Sequence, residues 1–134
     1  MRDDPDTPQV LVALPPVTVS GVAEVRRRVT EAAREVGLSP DRADGFTVAV
    51  NEIVINAVEH GGGTAAVTLI LQARRLVVEV LDTGTEPWQP YLPATAPPPD
   101  QINGRGLWLA TKLSDELTVD SRATGRLVRL TASA

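Results

Sequence analysis

Three short stretches carry side chains whose types and spacing suit chemistry better than packing. In "AVNEIVINAVEHGGG", Ala49 to Gly63, a segment that reads as an apolar helix carries Glu52, Asn56, Glu59 and His60 along one side and ends in three glycines. Glu52 and Asn56 are four apart, so they stack on one helix face; Asn56 and His60 repeat the spacing. Asp82 closes a β-like run and is followed by Gly84. A carboxylate there can accept a hydrogen bond from an exocyclic amine, while glycine lets the backbone approach a flat ring. Gly104-Arg105-Gly106 directly precedes a helix. Unpaired N–H groups and the positive dipole end at a helix start favour anions, and small residues let phosphate come close.

Each stretch also has a plain structural reading. Glu52 and Asn56 fit an exposed helix edge. Asp82-Thr83-Gly84 is a common turn composition. His60 near a helix C-terminus favours the dipole there, and Arg105 fits a solvated loop. The conjunction is more specific than any part, because order and spacing must agree as well.

The elements that would position these groups follow from periodicity and punctuation. "VLVAL" (Val10 to Leu14) reads as a strand stopped by Pro15 and Pro16. Ser20 is the expected N-cap of a helix from Gly21 to Val36, with Val22, Val25, Val29, Ala32 and Val36 at helical spacing and Gly37 at its end. The arginines at 26 to 28 are expected to face mostly outward. Ser39-Pro40 signals a second helix, Pro40 to about His60, with Ala43, Phe46, Val50, Ile53 and Ala57 as its core stripe. The Glu52–Asn56 stripe points in another direction. "AAVTLIL" (Ala65 to Leu71) and "LVVEVLD" (Leu76 to Asp82) predict an antiparallel hairpin around "QARR". Six prolines between Gly84 and Asn103 exclude regular structure there. A helix from about Leu107 to Leu113 follows, then "LTVDS" and "RLVRLTA" as a second hairpin turning at Ala123-Thr124-Gly125. The fold class expected is α+β: a mostly antiparallel sheet with helices on one face.

Bulk properties narrow the function classes. A chain of 134 residues, 43% hydrophobic and 22% charged, suits one globular domain with an ordinary core. A net charge of -4 argues against a general nucleic-acid binder, which needs a basic face. The absence of cysteine excludes disulfides, thiolate metal sites and cysteine nucleophiles, and a single histidine excludes a multi-histidine metal site within one chain. The acidic, proline-broken lead "MRDDPDTPQ" has no apolar signal region, and no run is long enough to cross a bilayer. A soluble, cytoplasmic protein without a membrane partner is expected, with residues 1–9 as a disordered lead.

Taken together, the three stretches resemble the boxes of the GHKL superfamily, the histidine-kinase-like ATPases with the Bergerat two-layer sandwich, and within it the short anti-sigma-factor serine kinases of bacteria. "NEIVINAVEHG" looks like the N-box, "DTG" like the first glycine box and "GRGL" like the second. The resemblance covers about Val10 to Leu130, within an ATPase domain bounded at 10–132. It implies ATP and Mg2+ as cofactors. It implies Glu52 as general base toward a hydroxyl and Asn56 as the Mg2+ ligand, with His60 at the histidine that usually follows. Asp82 would read the adenine amine and Gly84 would pass close to the base. Gly104, Gly106 and Leu107 would close on the phosphates, and residues 85–103 would form the ATP lid. Beyond the resemblance, Arg105, the one cation inside the glycine loop, is expected to neutralise phosphate charge when that lid is closed. As partners it implies an RNA polymerase sigma factor, a STAS-domain anti-anti-sigma protein and a second copy of the chain. The alternative is an ATPase-like module, weak or inactive in catalysis, that regulates a partner by binding. Two departures stand out. Glu86 replaces a second glycine of the first box, and Arg126 and Leu127 follow Gly125 where relatives often carry a threonine that supports adenine recognition.

Overall fold

The computed structural model describes residues 9–60, 63–82, 105–122 and 125–134. A short strand β1 (Val10–Ala13) leads through a 3-10 turn at Val19–Gly21 into helix α1 (Val22–Glu35), and helix α2 (Pro40–His60) follows. Strands β2 (Ala65–Gln72) and β3 (Arg75–Asp82) precede helix α3 (Arg105–Leu113), and β4 (Glu116–Arg122) and β5 (Gly125–Ser133) end the chain. The five strands pair antiparallel throughout, in the order β1-β2-β3-β5-β4. The α+β class, the element order and the placement of helices on one sheet face agree with the sequence reading.

Local signals mostly act as expected. Gly37 takes φ +101°, a conformation that disfavours a side chain. It ends α1 with paired bonds from Gly37 N to Arg34 O (3.0 Å) and from Leu38 N to Ala33 O (3.0 Å), the Schellman arrangement. The Ser39 hydroxyl accepts from Arg42 N at 3.3 Å, one turn into α2. Arg26 and Arg27 are exposed, and Arg27 pairs with Glu24 and Glu31 along α1.

Two expectations are corrected. Ser20 does not cap α1: Gly21 is the N-cap residue without a side-chain bond, and the Ser20 hydroxyl meets Thr18 Oγ1 at 3.1 Å instead. The 3-10 turn consumes the residues that would have formed the cap. α3 begins at Arg105, two residues before the expected Leu107, so Arg105 and Gly106 are themselves in its first turn. Glycine's poor helix propensity is overridden here. The expected disordered lead at 1–9, save Gln9, and the proposed lid at 85–103 lie outside the described residues.

α2 is the central element. Its expected core stripe, Ala43, Phe46, Val50, Ile53 and Ala57, is buried in full, and Ala49, Val54 and Val58 are buried too. One flank meets α1, where the Thr30 and Thr47 hydroxyls bond at 2.8 Å. The opposite flank meets α3, where Gly45 leaves room for Leu113; a Cβ at Gly45 would lie 3.4 Å from Leu113 Cδ2. The third side rests on Leu69, Leu76, Val78, Val80, Val128 and Leu130 of the sheet, all in the same core cluster.

Candidate active site

The direction of α2 across the sheet decides which groups share an end of the domain. At its start, Arg42 donates to the carbonyl of Ser133 (2.5 Å) and to Asp115 (2.8 and 2.9 Å). Ser133 pairs with Arg75, the first residue of β3. At the other end, Gly63 N bonds back to Val58 O at 3.1 Å, and Ala65, two residues on, pairs with Asp82, the last residue of β3. α2 therefore runs along β3 from Arg75 toward Asp82, and its half bearing Glu52 and Asn56 lies toward the Asp82 end.

The face of α2 that carries this pair is the one turned to α3. Gly45, Ala49, Glu52 and Asn56 succeed one another at intervals of four, three and four residues, which is a single stripe on a helix. Gly45 meets Leu113, while Arg42 meets Asp115, just past the end of α3. These contacts run in opposite senses along the two helices, so α3 lies antiparallel to α2. Its start is eight residues before Leu113, about 12 Å along the axis at the usual rise. The same rise on α2 leads from Gly45 to Ile53. The first turn of α3, with its unpaired N–H groups, thus falls level with Glu52 and Asn56.

Both polar side chains are half-buried, and neither has a hydrogen-bond or ion-pair partner among the described residues. A solvated helix edge would leave them exposed. Two neighbouring elements carry orphaned buried atoms as well: Asn51 Oδ1 on α2 and Trp108 Nε1 on α3 have no partner among the described residues. Polar groups left half-buried and unpaired are unusual in a finished fold and suit a ligand site.

Asp82 is 2% exposed and lies on the helix-facing side of β3, in line with Val80 and Val78. It is already paired. Arg126, directly across on β5, brings Nε to 3.3 Å of Oδ2 and Nη2 to 3.4 Å of Oδ1. Sequence reading identified Arg126 as a departure from a threonine but missed this contact. The only sequence signal was the opposite charge, 44 residues away.

The remaining expected residues are placed by backbone alone or not at all. His60 is the last residue of α2, and Arg105, Gly106 and Leu107 form the first turn of α3. Gly84, Gly104 and Glu86 lie outside the described residues. A cavity of about 120 Å³ lined by Arg75, Glu116, Thr118, Arg129 and Thr131 is on the opposite face of the sheet and belongs to none of these groups.

The donor set fits a nucleotide with its metal. Among the described residues no three His, Asp or Glu side chains gather to hold an ion. Asn56 would supply one hard oxygen, so an Mg2+ held there would have to complete its shell from phosphates and water, its usual habit. No helix among the described residues is long and apolar enough to cross a membrane.

Comparison with known proteins bears on the fold and the family. The family profile described as "Histidine kinase-like ATPase domain" matches residues 16–132. Among solved structures, the chain is similar to that of the RsbU and RsbW domains of Rv1364c from Mycobacterium tuberculosis. The identity is 25%, with a TM-score of 0.66 over 95% of this chain. The chain spans 32% of the length of that relative. No curated protein matches it significantly. An antiparallel five-stranded sheet, helices on one face and a profile match over most of the length agree: the chain belongs to the histidine kinase-like ATPase family.

Proposed function

We propose that the protein is an ATP- and Mg2+-dependent anti-sigma regulatory serine kinase. It would sequester an RNA polymerase sigma factor, phosphorylate a serine on a STAS-type anti-anti-sigma partner, and work as a homodimer. The observation that carries this reading is the half-buried pair Glu52 and Asn56, without a partner among the described residues and one turn apart on the α2 face that leads to the start of α3.

Phosphoryl transfer depends on positioning and charge neutralisation more than on covalent chemistry. Asn56 would hold the Mg2+, which when bound screens the phosphate charge. Glu52 would accept the proton of the serine hydroxyl as its oxygen bonds to the γ-phosphorus and the bond to ADP breaks. The N–H groups of the α3 first turn, with Arg105, would take the phosphate oxygens, and Asp82 would accept the adenine amine. The similarity to Rv1364c, whose described part includes an RsbW domain, favours a role of this regulatory kind.

The test is transfer from labelled ATP to the STAS partner. Wild-type protein is expected to label it. Glu52→Gln is expected to lose transfer by about 100-fold or more, the scale of general-base catalysis, while still binding Mg-ATP. Equal transfer by Glu52→Gln would remove Glu52 from this role. A second reading, a module with weak nucleotide affinity that acts by binding its partner, is favoured by the Asp82–Arg126 pair. Under that reading wild-type protein sequesters the sigma factor but labels nothing.

A further inference from the structure

The carboxylate assigned to the base is not waiting for it. Asp82 and Arg126 face each other across β3 and β5, on the side of the sheet that the helices cover. Their side chains are 3% and 7% exposed. Both prongs of the guanidinium address both carboxylate oxygens, at 3.3 and 3.4 Å. Charge-assisted bonds of good geometry are shorter, about 2.7–2.9 Å, so this fork is loose on both sides. A carboxylate that recognises an exocyclic amine must offer an accessible acceptor oxygen. Here each oxygen already has an arginine nitrogen near it, and at 3% exposure the side chain has little open surface left for a second donor.

Removing the arginine would take the facing cation away from a carboxylate that is 3% exposed, which is costly. Arg126 therefore takes the place that an amine donor would occupy. It enters from the last strand, at the position directly after Gly125.

We infer that Arg126 is an internal competitor for Asp82: its guanidinium must leave at least one carboxylate oxygen before an adenine amine can bind there, and this sets the affinity of the site for ATP. The inference rests on Asp82 being the base-reading residue. It adds to that reading a specific residue, outside the three sequence boxes, that controls how tightly the nucleotide is held. The loose fork makes the exchange feasible, since the bonds given up are weak, whereas the carboxylate stays on the rigid end of β3.

Arg126→Thr in the full chain tests this, by titration with Mg-ATP followed through tryptophan fluorescence and by thermal unfolding with and without the nucleotide. Arg126→Thr is expected to bind Mg-ATP about tenfold tighter or more. Without nucleotide it is expected to melt below wild type, because the buried Asp82 loses the arginine that faces it. Mg-ATP is expected to raise its Tm more than it raises that of wild type. Adding Asp82→Ala to the variant is expected to abolish the gain. If Arg126→Thr does not fold, Arg126→Gln replaces the charged fork by a single, weaker neutral amide donor and carries the same expectation of tighter Mg-ATP binding.

A folded variant that binds Mg-ATP equally well or more weakly than a binding wild type overturns the competition and leaves the nucleotide reading intact; weaker binding would make Arg126 a ligand-holding residue. If neither the wild type nor a folded variant binds Mg-ATP, the base-reading assignment of Asp82 fails, and this inference fails with it.

Discussion

Glu52 and Asn56 illustrate how much a single residue's surroundings add to its identity. Both types are common on helix surfaces, and spacing alone left a plain reading open. Half-burial without a partner among the described residues distinguishes them from a solvated edge. If Asn56 supplies the one protein ligand to Mg2+, Asn56→Ala should erase the difference between nucleotide binding with magnesium and with EDTA. Wild type should show that difference clearly in calorimetric titrations. A variant that retains full magnesium dependence would move the metal elsewhere. Asp82 carries the opposite lesson. Its type and position at the strand end were legible, but the occupant of its carboxylate was not.

At the scale of elements, the packing of α3 on α2 positions the groups of the candidate site. Gly45 is the close-approach point, and the distance from Leu113 back to the start of α3 fixes which α2 residues that first turn faces. Gly45→Ala places a methyl 3.4 Å from the flexible end of Leu113 while removing a poor helix former. Stability measured by urea unfolding is expected to rise by up to about 1 kcal/mol. Gly45→Leu has no such room. It should cost about 1–3 kcal/mol by overpacking and should weaken Mg-ATP binding as well, because it pushes the start of α3 off the Glu52–Asn56 stripe. Loss of stability with unchanged nucleotide affinity would separate the two helices' packing from the site.

For the whole molecule, α2 is the spine. It is covered by α1, α3 and the sheet, and Ile53 is 1% exposed at its centre. Ile53→Ala is expected to lower stability by about 2–5 kcal/mol, read from the urea midpoint, with a single cooperative transition because the same core joins every layer. The Arg42 fork adds a tether between the start of α2, the segment after α3 and the end of β5. At 45% side-chain exposure it contributes less than the core does.

The core stripe Ala43, Phe46, Val50, Ile53 and Ala57 could be read from helical periodicity, because a helix facing one surface repeats every three or four residues. Ala49, Val54 and Val58 could not, because their burial depends on neighbours packed against the flanks. Helix ends at Gly37 and Pro40 and the first hairpin were equally legible, each set by backbone angles within a few residues. The start of α3 was misjudged because propensity favoured a break at the glycines while tertiary packing continued the helix through them.

What the sequence alone determined are the features governed by local dihedral preference and periodicity: the elements, their order, and the polar stripe on α2. Tertiary structure alone decided the insertion of β5 between β3 and β4, the antiparallel lie of α3 against α2, and the meeting of Asp82 with Arg126. Strand register and helix packing join residues far apart in the chain. Their partners are chosen by the burial of the whole core, which no local window of sequence contains.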